Sequence, residues 1–247
     1  MSHPLQGKIA LVTGGSRGIG AAIARHLAQA GAAVAFTYNS SPDRAEALVR
    51  QIAGDGGTAV AIQADASDRA AARSAVTETV QQFGGLDIVV NSAGAGGVGP
   101  IEEITDETYD HAVAVNVGSV FHTTREALQH MTSGSRVITV GSINADRIHF
   151  AGGTVYALTK AAVAGFSRAL AREVSSRGIT VNTVQPGPVD TDMNPADSDF
   201  AKITRPLIAA GRYGTADEIA SVVTFLAGPD ASFITGATIN VDGGFAA

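Results

Sequence analysis

The chain has 247 residues, 45% of them hydrophobic, 16% charged and only 5% aromatic, so it holds enough apolar material for a sizeable core and is not a disordered segment. A formal net charge of −6, with no block of lysine or arginine, argues against nucleic acid or an anionic membrane surface as a partner. With no cysteine there is no disulfide framework or thiolate metal site; with no signal-peptide pattern or membrane-length apolar run either, a cytoplasmic globular protein is expected.

"KIALVTG" (8–14) reads as the first strand, an apolar run that stops at a glycine. "TGGSRGIG" (13–20) joins it to a helix over 18–31, closed by Gly31. Gly14, Gly18 and Gly20 let the backbone turn tightly and approach a ligand, with Ser16, Arg17 and Ile19 between them. The helix that follows offers unpaired amides and its positive dipole end to a pyrophosphate. Ile23 stands where the G-x-G-x-x-G spacing needs its last glycine, so the turn has two readings, dinucleotide binding or a structural corner. Its place at the first strand–helix junction favours the dinucleotide.

The second strand, "AAVAFTY", runs into "NSS". An acid at this end would bind a free ribose 2′-hydroxyl, whereas a 2′-phosphate wants donors and positive charge. Tyr38, Asn39 and Ser40 supply donors without a carboxylate, and Arg17 projects toward the same point. NADP(H) is therefore expected in preference to NAD(H); the other reading makes Arg17 a cap of the turn and the polar run a plain loop. After a helix over 43–56, the strand 58–65 ends at Asp65, followed by Ala66. Asp65 is placed either to meet an adenine or to cap the helix expected over 68–83.

The remaining pattern predicts a strand over 86–94, a long helix over 106–130, a strand over 135–142 and a helix over 155–178. A strand over 179–187, an irregular stretch at 187–212 with the look of a substrate lid, a helix over 216–227 and a last strand over 237–244 complete the chain. Apolar strands separated by helices imply an α/β fold, a Rossmann-like doubly wound parallel sheet of about seven strands with helices on both faces. No linker interrupts the alternation, so 1–247 is expected to be a single domain.

"TVYALTK" places Tyr156 and Lys160 four positions apart, on one face of a helix. Alone, the pair is either a phenol tuned by an ammonium or two amphipathic side chains at a surface. The wider set of motifs decides between these. On "TGGSRGIG", "NSAG" (91–94), Asn116, Ser142, Tyr156 with Lys160, and "PGPVDT" (186–191), the chain is identified as a member of the short-chain dehydrogenase/reductase family. "NSAG" departs from the commoner N-N-A-G at its second position.

That resemblance implies a set of roles. Tyr156 would give its proton to a carbonyl oxygen as hydride arrives from the nicotinamide, and Ser142 would hold the same oxygen. A free phenol is a poor acid–base partner near neutrality, but an ammonium ~5 Å away stabilises its anion by ~3 kcal/mol at an effective dielectric of ~20. Lys160 would supply that charge and also hold the nicotinamide ribose hydroxyls, with Asn116 supporting a water chain to it. Asn91, Ala93 and Gly94 would form a floor under the adenosine ribose. Pro186, Gly187 and Thr191 would flank the nicotinamide, with the backbone at Val189 meeting its carboxamide. A homotetramer is implied too, helices 106–130 and 155–176 packing across one two-fold.

The histidines at 3, 26, 111, 122, 130 and 149 show no H-E-x-x-H spacing, and no metal site is expected. "GSINA" is not a G-x-S-x-G elbow. The expected activity is that of an NADP(H)-dependent carbonyl reductase or alcohol dehydrogenase, the pattern being similar to 3-oxoacyl-thioester reductases and small-ketone reductases. The alternative is a cyclic-dinucleotide-binding regulatory protein, because "GSINADR", "VQPGPVDTDMNPAD" and "GPDASFITGA" are similar to a branch of the family with that function. Asn144, Arg147 and His149 would then be pocket donors rather than solvated loop residues.

Overall fold

Seven strands, Ile9–Val12 (β1), Ala33–Tyr38 (β2), Thr58–Gln63 (β3), Ile88–Asn91 (β4), Arg136–Val140 (β5), Thr180–Pro186 (β6) and Thr238–Val241 (β7), pair in parallel in the order β3-β2-β1-β4-β5-β6-β7. The computed structural model describes residues 3–247, so the first two residues of the expected domain lie outside it. Residues of β4, β5 and β6 are buried throughout, as strands covered on both faces must be, which is why valine and isoleucine recur along them and the buried amides Asn182 and Gln185 of β6 are hydrogen-bonded. Successive side chains take opposite faces. Ala10 and Val12 join Ile23, Leu27, Phe36, Ile219 and Leu226 on one side; Leu11 joins Val76, Val137, Leu170 and Val181 on the other.

The first face is covered by helices Gly18–Gln29 (α1), Pro42–Gly54 (α2) and Ala216–Ala227 (α8), and the second by Arg69–Phe83 (α3), Ser119–Ala127 (α5) and Thr154–Val174 (α6). Strand order reverses between β1 and its neighbours β2 and β4, so the loops leaving β1 and β4 diverge and open a crevice at the carboxyl edge.

Two expectations are corrected. The helix expected over 106–130 is not continuous: Asp106–Val113 (α4) passes into a π-helical turn at Ala114–Gly118 before α5, and α5 ends at Ala127. The amide of Ser119 donates to Ala114 O, and its hydroxyl to Val115 O at 2.6 Å. One inserted residue swings Asn116 inward while leaving the flanking periodicity almost intact. The stretch 187–212 is also less irregular than expected. Asp199–Thr204 (α7) is a short helix whose Ser198 cap accepts from the amide of Ala201, and Ala201, Ile208 and Tyr213 bury against Ile143 and Phe245.

Candidate active site

The glycine turn is built by steric necessity. Gly14 has φ +65°, and a Cβ there would lie 2.8 Å from Cα of Ala93; a Cβ at Gly20 would run into the carbonyl oxygen of Gly14. Two threonines that sequence reasoning missed hold this turn. Thr13 Oγ1 accepts from the amides of Ser92 at 3.0 Å and Ala93 at 3.1 Å, and Thr37 Oγ1 accepts from the amide of Gly14 at 2.9 Å. The ends of β1, β2 and β4 are thus knitted together. The only signal in the sequence is a threonine beside the glycines and another near the end of β2.

Arg17 is the N-cap residue of α1, in extended conformation, but its exposed side chain makes no cap hydrogen bond. Ser16 and Ile19 are half-buried beside it. No acid occupies the first turn of α1, so nothing on the helix itself opposes an anion at its amino end. At the end of β2, Tyr38 is half-buried while Asn39 and Ser40 are exposed, and Gln63 Nε2 donates to Asn39 O at 3.2 Å. Asp65 does not cap α3; Asp68 does, accepting from the amide of Ala70 at 2.7 Å. Asp65 Oδ1 instead accepts from Ser67, first its amide and then its hydroxyl, each at 2.8 Å, and these bonds hold its carboxyl below the usual carboxylate range. Ala66 follows it, half-buried.

Residues 91–94 divide between two tasks. Asn91 is buried and turns away from the crevice, donating to Thr124 Oγ1 at 3.0 Å to tie β4 to α5. Ala93 meets the glycine turn, whereas Gly94, expected under the adenosine ribose, abuts the lysine: a Cβ there would lie 3.7 Å from Lys160 Nζ and 3.6 Å from Asn116 Oδ1. Asn116, only 2% exposed, accepts from the amide of Ala95 at 2.8 Å and donates to Ala95 O and Thr159 Oγ1, both at 3.0 Å. The π-turn therefore clamps the loop after β4 onto α6.

Lys160 is 6% exposed, donates to Val140 O at 3.2 Å, and stands 5.6 Å from the centroid of the Tyr156 ring. No carboxylate pairs with it among the described residues. A buried ammonium without a counter-ion is costly to hold, and Val140 O is the acceptor it meets among the described residues. Ser142, buried at the exit of β5, caps the turn Ile143–Ala145 by accepting from the amide of Asn144 at 3.2 Å.

The loop leaving β6 closes the other side. Pro186 ends the strand, a Cβ at Gly187 would lie 2.7 Å from Cα of Asp242, and buried Val189 bridges to Gly214. Thr191 then reaches the glycine turn, its methyl 3.6 Å from where a Gly18 Cβ would stand. A cleft of about 440 Å³ opens between the loop after β4 and α4, lined by Ala95, Gly96, Gly97, Glu107, Thr108 and His111. The expected pocket donors behave differently. Arg147 Nη1 donates to Ala246 O at 3.0 Å and Ala247 O at 2.8 Å, while His149 Nε2 lies 2.9 Å from Phe245 O with its ring against Phe245. Both are held by segment 245–247, and Asn144 is half-buried with its amide in the cap.

A family model described as Enoyl-(Acyl carrier protein) reductase matches residues 14–246. The chain is 43% identical over 241 residues, covering 98% of both sequences, to the cyclic-di-GMP-binding biofilm dispersal mediator protein of Escherichia coli. Among solved structures it is similar to a short-chain dehydrogenase/reductase from Serratia marcescens (TM-score 0.98, 53% identity, 99% of this chain and 100% of that one). It is also similar to a short chain dehydrogenase from Burkholderia cenocepacia in complex with NADP (TM-score 0.97, 48% identity, 99% and 100%).

Proposed function

Because this chain belongs to the short-chain dehydrogenase/reductase family, we propose that it is an NADP(H)-dependent oxidoreductase acting on a ketone or the matching secondary alcohol, with 3-oxoacyl thioesters among the candidate substrates. One observation carries the reading: the buried Lys160 ammonium lies beside the Tyr156 ring with no carboxylate paired to it among the described residues. When bound, the nicotinamide supplies or accepts the hydride. In the reducing direction the Tyr156 hydroxyl gives its proton to the carbonyl oxygen, Ser142 Oγ donates a hydrogen bond to that oxygen, and Lys160 stabilises the phenolate left behind. Asn116 fixes the loop and helix that carry Gly94 and Lys160.

The cofactor would lie along the crevice, with its pyrophosphate over Gly14–Gly20 and its adenosine near Asp65, Ala66 and Ala93. The nicotinamide would sit between Tyr156 and the segment Pro186–Thr191. An exposed Arg17, the donors at Tyr38–Ser40 and the lack of an acid at the end of β2 support NADP(H), as does the NADP complex of the Burkholderia relative. Segment 187–212 would be a lid of the one nucleotide-binding domain, its exposed Met193, Phe200, Ile203 and Leu207 suiting an apolar substrate.

The test is a panel of carbonyl compounds with each reduced nucleotide. Oxidation of NADPH is expected with at least one ketone, and NADH should be used roughly tenfold or more less efficiently, the worth of a charge-assisted phosphate contact. A panel without turnover, or a preference for NADH, would overturn the reading. Cyclic-dinucleotide binding ranks second, since Arg147 and His149 are engaged by segment 245–247; saturable calorimetric binding of cyclic di-GMP without any turnover would reverse that order.

The outer face of α6 exposes Leu158, Ala161, Ala162 and Ala169 around a half-buried Gly165, and Phe121 is exposed on α5. Small residues there permit close helix approach, which supports a homotetramer packed across this face in the cytoplasm, where the reduced nucleotide is regenerated. Light scattering should return four chain masses; one chain mass would end that reading. No described helix is long and apolar enough to cross a membrane.

A further inference from the structure

One ion pair spans the crevice. Arg44, in the first turn of α2, places Nη1 2.5 Å from Oδ2 of Asp192 in the loop that leaves β6, 148 residues away in sequence. Each end is next to something the cofactor would touch. Arg44 stands four residues past Ser40, at the corner where β2 ends. Asp192 follows Thr191, which packs on Gly18. The pair therefore crosses above the glycine turn, from the ribose-reading corner to the loop of the nicotinamide side.

The side chains are 56% and 58% exposed, and a pair so open to water contributes little to stability. It holds together two elements with no other ion pair between them among the described residues. Arginine is also the residue whose planar fork matches phosphate oxygens. A ribose 2′-phosphate brings close to two negative charges where Asp192 offers one, and it would arrive at the end of β2, beside the first turn of α2 that carries Arg44.

We propose that Arg44 is a 2′-phosphate ligand and that Asp192 is its internal stand-in, a carboxylate that competes with the NADP(H) phosphate for the guanidinium. The inference rests on the NADP(H) reading above. It adds a consequence: NADP(H) unlatches the loop at Asp192 on binding, and NAD(H), lacking the phosphate, does not. Asp192 thereby lowers the affinity for the phosphorylated nucleotide while Arg44 raises it.

The opposed signs make the test. Dissociation constants for NADPH and NADH are measured by nucleotide fluorescence on the unaltered protein, Arg44→Ala, Asp192→Asn and the double variant. Arg44→Ala should weaken NADPH about tenfold and leave NADH within about twofold, in line with loss of one charge-assisted contact. Asp192→Asn should tighten NADPH about two- to threefold, and that gain should vanish in the double variant, because the two residues act on one contact. A latch with only a structural role would weaken both nucleotides in both single variants, and that result overturns the proposal. If the unaltered protein prefers NADPH and Arg44→Ala keeps the preference, this inference alone fails. If it shows no preference at all, the cofactor reading fails with it.

Discussion

Tyr156→Phe is expected to lower kcat by roughly 10²–10⁴-fold while the NADPH dissociation constant stays within about twofold. The Tyr156 hydroxyl makes no hydrogen bond among the described residues, so its removal leaves no orphaned partner and the ring can stay where it is. What disappears is a proton donor needed only as the carbonyl oxygen gains charge. kcat and kcat/KM should therefore fall together, by roughly 3–5 kcal/mol of transition-state stabilisation at 1.36 kcal/mol per decade. Stopped-flow or steady-state assay with whichever ketone proves active makes the measurement. Turnover within a few-fold of the unaltered enzyme would remove Tyr156 from the chemistry.

Lys160→Met should abolish most turnover and, at the same time, leave the protein as stable or more so. In the folded chain Lys160 is buried, with Val140 O as its one hydrogen-bond partner and no carboxylate paired to it among the described residues. Replacing a desolvated charge by an apolar side chain of similar length relieves that cost, an effect of about 1 kcal/mol or more in other buried ionic sites. At this chain length each such kcal/mol raises the melting temperature by about 2–4 °C. kcat should drop by at least about 10², since the phenolate loses its stabilising charge. Lys160→Arg is not expected to rescue activity, because a planar guanidinium does not reproduce the compact ammonium held at Val140 O. A Lys160→Met protein that melts well below the unaltered one and still turns over would show the ammonium to be structural.

Both predictions rest on a pair visible in the linear sequence, and much else in this molecule was legible there. Strands such as "DIVVN" and "RVITV" announce themselves because a parallel strand buried on both faces is rich in β-branched apolar residues. "TGGSRGIG" is legible because a tight corner tolerates so few side chains. The Tyr156–Lys160 spacing survives because one helix carries both residues, and a helix keeps its own register.

Other features were hidden from the sequence. A single extra residue in the π-turn at Ala114–Gly118 alters no apolar pattern, yet it aims Asn116 at Ala95 and Thr159. Asn91 belongs to "NSAG", but its side chain bonds to Thr124 of α5, since its strand position sends it to the helix-covered side. Arg147 and His149, pocket donors on one reading and solvated loop residues on the other, bond to residues 245–247, about a hundred positions away. Nothing in the sequence links Arg44 to Asp192, 148 positions away.

The division has a physical cause. Periodicity, turn chemistry and burial on both faces act over a few residues, so the linear chain alone determined the seven strands, most of the helices, the glycine turn and the spacing of the tyrosine–lysine pair. Which side chains meet across the crevice depends on a strand order that places β1 beside β4 and brings the exits of β2 and β6 over one glycine turn. Only the assembled sheet made those choices, because contacts between distant segments leave no periodic mark on either of them.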